Sequence, residues 1–114
     1  MSVAGNALGE GNLASAVDEL TLVVTEFPDY AEGWNQRATV HYMLGNLEDS
    51  LADIDKVLAI EPRHYGALSG RVLIYLKQGK HAEALRDMIA ALAIHPYLSE
   101  RRLFPELAQD VTQV

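Results

Sequence analysis

The chain has 114 residues, 49% of them hydrophobic, which suits one domain with a packed core rather than a disordered segment. Its formal charge of −7 and pI near 4.9 oppose binding to phosphate backbones and anionic membranes. With no cysteine, neither a disulfide framework nor a thiolate metal site can form.

The opening MSVAGNALGEG has no positive start and no continuous apolar run, so it is not expected to act as a signal peptide. No stretch reaches the roughly 20 apolar residues that span a bilayer. Residues 1–9 offer at most a short helix, with Val3, Ala4, Ala7 and Leu8 on its apolar side. A helix is predicted near 12–26, closed by Pro28, because the residue before a proline is pushed out of helical geometry.

Over 31–44, Trp34, Ala38, His41 and Leu44 recur at three- and four-residue steps, with Val40 beside them, as an amphipathic helix requires. Gly45 and Asn46 interrupt the pattern, and a glycine just past a helix end suits a left-handed cap. Leu47, Leu51, Ile54, Val57 and Leu58 then line one side of a second helix over 47–60, stopped by Pro62. The same reading gives helices near 65–78 and 81–94. The short loops make sequential helices antiparallel neighbours.

These elements repeat. Gly11, Gly45 and Gly79 are 34 residues apart, as are Pro28, Pro62 and Pro96. Small residues keep the interval at Ala16, Ser50 and Ala84, and large apolar ones at Leu20, Ile54 and Met88. One helical hairpin cannot bury its apolar stripe alone, but stacked hairpins share a continuous core. The phrase GNL, at 11–13 and again at 45–47, is the turn and entry of a helix and so marks architecture and not chemistry.

Residues 31–64 resemble a tetratricopeptide repeat. Trp34, Ala38, His41, Gly45, Ser50, Ile54, Val57 and Pro62 stand at the family's signature places. His41 departs from the usual aromatic, and Ser50 and Val57 replace small alanines. Residues 65–98 fit through Leu68, Val72, Tyr75, Gly79, Ala84, Met88, Ala91 and Pro96. The first unit fits only from Gly11 onward.

The resemblance implies an all-α fold, a right-handed α-solenoid of antiparallel helix pairs over 1–114. It would comprise a partial repeat over 1–30, full repeats over 31–64 and 65–98, and a C-terminal capping helix within 99–114. In SERRLFPELAQDV, Pro105 suits a first helical position, with Leu107 and Val111 inward and Leu103 and Phe104 in the approach. The partial first repeat implies missing upstream residues, or apolar surface left open to a partner or a second copy.

The resemblance also implies a protein-binding groove lined by the first helix of each repeat. Its places fall on Glu32, Asn35, Gln36, Thr39, Tyr42 and Met43, then on Gly66, Ser69, Gly70, Leu73, Leu76 and Lys77. Members that bind chaperone tails hold a carboxylate with lysines, arginines and asparagines. Those places here carry Met1, Gly5, Gln36, Gly66 and Gly70, so that clamp is missing. Asn35 and Gln36 can bond a peptide backbone, while Tyr42, Met43, Leu73 and Leu76 offer an apolar strip. Alternatively, Leu73 and Leu76 pack on helices outside this chain or on a second copy.

Catalytic and metal chemistry finds little support. His41, His64, His81 and His95 never stand three or four apart, and His41 reads as a core residue, the other three as exposed. The carboxylates Asp18, Glu19, Glu48, Asp49, Asp53 and Asp55 read as a solvated helix face rather than an acid–base pair. Arg37 and Arg71 recur at one interval with Asp53 and Asp87, which predicts an arginine–aspartate clasp in each repeat; the alternative is an arginine receiving a ligand carboxylate.

The expected function is a non-catalytic adaptor that binds a peptide or helix of another protein, the alternative a structural module that homodimerises through its repeat ends. No cofactor, metal, nucleic acid or membrane partner is expected. Cytoplasmic residence is the default, with export if an upstream signal precedes the chain.

Overall fold

A computed structural model describes residues 12–97 and 102–104, and all five helices among them are α-helical. The chain forms two compact units, Met1–Pro62 and Arg63–Val114. The first contains α1 (Leu13–Glu26), α2 (Ala31–Leu44) and α3 (Leu47–Ile60); the second contains α4 (Tyr65–Lys77) and α5 (His81–Ile94). The expected capping helix beyond Phe104, like the short helix over 1–9, lies outside the described residues.

The repeat punctuation sets the helix ends as expected. α1, α3 and α5 stop at Phe27, Glu61 and His95, each just before a proline and each with φ between −138° and −129°. Such extended geometry is what proline imposes on its predecessor. α2 ends differently, at Gly45 with φ 83°. There the Gly45 N–H donates to the Tyr42 carbonyl at 3.0 Å and the Asn46 N–H to the His41 carbonyl at 2.8 Å. Gly79, Lys80, Leu76 and Tyr75 repeat the pattern after α4, with φ 74° at Gly79. This paired closure satisfies carbonyls that a helix end would otherwise leave bare.

Open space surrounds both glycines, so only backbone strain opposes a side chain there. Gly45→Ala is expected to lower unfolding free energy by about 1 kcal/mol, and Gly45→Asn by less. Urea midpoints for the two variants check this; an unchanged Ala midpoint would refute the strain.

In the first unit, Ala16 and Leu20 of α1 pack with Val40 of α2, flanked by Leu13 and Val17. The helices approach closely at Gly33, where a Cβ would stand 3.1 Å from the Val23 Cγ1. At the small place on α3, the buried Ser50 hydroxyl donates to the Ala38 carbonyl at 2.7 Å. A hydroxyl there satisfies itself on the neighbouring helix without adding bulk at the crossing.

In the second unit, Ala67, Leu68, Val72 and Ile74 of α4 and Ala84, Met88 and Ala91 of α5 are buried. Phe104 is also fully buried, its ring 5.4 Å from that of His81, while Leu103 remains exposed.

Candidate functional site

The groove residues predicted within the repeat over 31–64 lie on α2, and their three- and four-residue spacing puts them along one side of that helix. Glu32, Asn35 and Tyr42 are half-buried, whereas Gln36, Thr39 and Met43 are exposed. Met43 shows 56% of its surface, a large apolar exposure for a helix end. The Thr39 hydroxyl is committed to the Asn35 carbonyl at 3.1 Å, so it offers no free donor. The side-chain amides of Asn35 and Gln36 make no hydrogen bond among the described residues, and each keeps both a donor and an acceptor.

The helix is held in register by Arg37, which faces away from those residues. Its Nε donates to Asp53 Oδ2 at 2.9 Å and one terminal nitrogen to Asp53 Oδ1 at 2.8 Å. The other terminal nitrogen reaches the Thr21 hydroxyl on α1 at 3.1 Å, and that hydroxyl donates to the Val17 carbonyl at 2.7 Å. Hydrogen bonding to Asp53 holds the guanidinium charged beyond its ordinary range, against the opposing effect of burial, with the charges of Asp53 and Asp49 assisting. Nε and both terminal nitrogens of Arg37 are each hydrogen-bonded within the chain. The clasp expectation is met: the two-donor edge of the guanidinium holds Asp53.

Asp53 corrects one expectation. It is 3% exposed and belongs to the clasp, not to the solvated face on which Asp18, Glu48, Asp49 and Asp55 lie. Glu19 is half-buried, also short of a solvated place. His41 is largely enclosed, with Nε2 3.9 Å from Asp53 Oδ2 and no hydrogen-bond partner for Nδ1. It fills the place as a packing residue. Trp34 Nε1 donates to the Pro28 carbonyl at 2.8 Å, tying α2 to the turn after α1, while Lys56 and Arg37 approach its ring at 5.6 and 5.2 Å.

In the second unit, Ser69, Leu73 and Leu76 of α4 are half-buried and Lys77 is exposed. The apolar strip expected there is thus partly covered. The Ser69 hydroxyl oxygen is buried and has no hydrogen-bond partner. Arg71 repeats the clasp, its Nε 2.7 Å from Asp87 Oδ2 and a terminal nitrogen 3.0 Å from Asp87 Oδ1.

His64 departs from its predicted exposure. It is half-buried, and its Nδ1 accepts the Ala67 N–H at 3.0 Å, capping α4 as Asn12 caps α1 through Ser15. The ring also lies 3.1 Å from where a Cβ would stand on Gly66. The sequence signal for this cap was weak because histidine is not among the usual N-cap residues.

No group of three histidine or carboxylate side chains among the described residues gathers to hold a metal, and no helix there is long and apolar enough to cross a membrane.

Residues 31–64 and 66–95 each match the tetratricopeptide repeat family. A TPR repeat-containing protein of Rhizobium etli is 42% identical over 96 residues, covering 84% of this chain. The chain spans 47% of that protein's length. Among solved structures, the first TPR domain of Spaghetti (RPAP3) bound to an HSP90 peptide superposes with a TM-score of 0.85 at 19% identity, covering 96% of this chain and 87% of that one. The TPR2B domain of yeast Sti1 in complex with a pHsp70 peptide gives 0.78 at 21% identity, covering 96% and 90%.

Proposed function

Since the chain belongs to the tetratricopeptide repeat family, an all-α helical-repeat class, we propose that it works as a non-catalytic adaptor that receives an extended peptide of a partner protein on the first-helix faces of its repeats. The observation that carries this reading is on α2. Asn35 and Gln36 keep unspent amides beside the exposed Met43 and the half-buried Tyr42, on a helix whose other polar groups are largely committed internally. Amides of this kind bond a peptide backbone as both donor and acceptor, and the flanking apolar side chains select what the peptide carries. On α4, Leu73, Leu76 and Lys77 supply the corresponding apolar and cationic elements.

Structurally similar domains take chaperone-tail peptides, which supports a protein ligand in general terms. The carboxylate clamp is a separate matter. Gln36, Gly66 and Gly70 supply no cation where that clamp needs one. The proposed ligand is therefore a neutral or mildly apolar internal segment, not an acidic C-terminus.

A displayed library of random peptides tests both points. Selected peptides are expected to lack a required terminal carboxylate, and Asn35→Ala with Met43→Glu should weaken their binding at least about tenfold, with Leu73→Glu adding to the loss. Circular dichroism confirms that the variants fold, since Asn35 and Met43 are not core residues. Undiminished binding by the folded variants would remove the site from these faces, and selection of acidic tails alone would restore the clamp reading.

A further inference from the structure

The charge of the chain is divided unevenly between its units. Met1–Pro62 holds eleven of the 16 acidic residues and two of the nine basic ones, whereas Arg63–Val114 holds five acidic and seven basic residues. The first unit is therefore formally −9 and the second +2, which together give the overall −7.

This division reaches two outward helix faces that occupy the same place in the repeat. On α1, Asp18, Leu22 and Glu26 step by four residues and all are exposed, Leu22 by 67%. On α5, Ala82, Arg86 and Ala90 take the same steps, with Ile89 and Ala93 beside them, and all five are exposed, Ile89 by 54%. Asp18 and Arg86 are two repeat lengths apart, so one register position carries a carboxylate on α1 and a guanidinium on α5. Neither side chain makes an ion pair among the described residues. The chain runs on into an exposed aromatic in each case, Phe27 after α1 and Tyr97 after α5.

We infer that a second copy of this chain docks here, the α1 face of one molecule against the α5 face of the other, with Leu22 on Ile89 at the centre and Asp18 opposite Arg86. Three features select a second copy over another partner. Each face supplies the charge that the other lacks. Each has a single large apolar side chain at its middle, which exposes surface that solvent disfavours. The α5 face holds no fully exposed carboxylate to repel the first, because Asp87 is buried against Arg71 and Glu83, at the edge of the stripe, is half-buried. Since the two faces differ, the contact is heterologous: it closes into a pair if both contacts form at once and otherwise extends head to tail. This inference is independent of the peptide-binding reading, which concerns α2 and α4.

Analytical ultracentrifugation of the full chain, over a concentration series, provides the test. Association is expected at about 0.15 M salt, where a screening length of about 8 Å damps the repulsion between two molecules of formal charge −7 but leaves the close Asp18–Arg86 contact in force. Asp18→Arg and Arg86→Asp each set like charges together and should weaken association at least about tenfold. Mixing the two variants pairs the new arginine with the new aspartate and should restore association to near the wild-type level, which a misfolded variant could not do. A wild-type chain that stays monomeric across the concentration series at that salt overturns the inference. So does association that neither substitution weakens, and so does an unrelated protein occupying this face while the chain itself remains monomeric.

Discussion

Asp53→Ala is expected to lower the unfolding free energy by about 3 kcal/mol. The carboxylate is almost fully enclosed, and both of its oxygens are taken by one guanidinium in a two-point contact at 2.8 and 2.9 Å. Removing it leaves Arg37 charged, because nothing in the accessible pH range neutralises an arginine. The stranded cation costs more than the pair contributed, and losses of about 3–5 kcal/mol follow such single deletions. The lower end applies here because the Arg37 side chain keeps 19% exposure and retains the Thr21 hydroxyl as a partner.

The comparison that separates register from net stability is a double variant, Arg37→Met with Asp53→Leu. It removes both charges and fills similar volume, so most of the lost stability should return. Urea denaturation of the two single variants and the double gives the coupling directly. A single Asp53→Ala loss below about 0.5 kcal/mol would mean that the clasp is ornamental.

Phe104→Ala is the second large effect, expected at about 3–4 kcal/mol. Phe104 is among the largest fully buried side chains, yet it belongs to a segment outside the five helices. Deleting its ring removes contact with His81 at the start of α5 and leaves a space that the surrounding helices cannot close. Phe104→Leu retains most of the volume and should cost roughly half as much or less. Thermal or urea unfolding of the two variants decides the matter: a Phe104→Ala protein within about 1 kcal/mol of the parent would show that the segment after α5 adds nothing to the core of the second unit.

The helices were legible because proline and glycine act locally. Pro28, Pro62 and Pro96 each forbid helical geometry one residue earlier, whatever packs around them, and Gly45 and Gly79 supply the positive φ that closes the intervening helices. The clasp was legible for a different reason: arginine and aspartate recurred together at the repeat interval, and two antiparallel helices bring such places together.

What escaped the sequence depends on the third dimension. Asp53 looked like one more carboxylate on a charged helix until its burial set it apart from Asp55, two residues on. His64 caps α4 through one ring nitrogen, a role that no spacing announces. Thr21 gave no sign of joining Arg37, since a threonine in mid-helix ordinarily turns to its own backbone, as this one also does. Periodicity likewise assigned Leu73 and Leu76 to a face without saying how much of each would stay uncovered.

The Thr21 bond gives the clasp a reach beyond its own hairpin. A linear array of repeats unravels from its ends, because a terminal element has neighbours on one side only. Arg37 lies on the middle helix of the first unit, yet its guanidinium bonds forward to α3 and back to α1. The ordering of α1 is thereby tied energetically to a carboxylate on a helix it is not paired with in sequence. Opening of α1 then becomes less independent of α3, and the three helices behave as one cooperative block instead of a peeling stack.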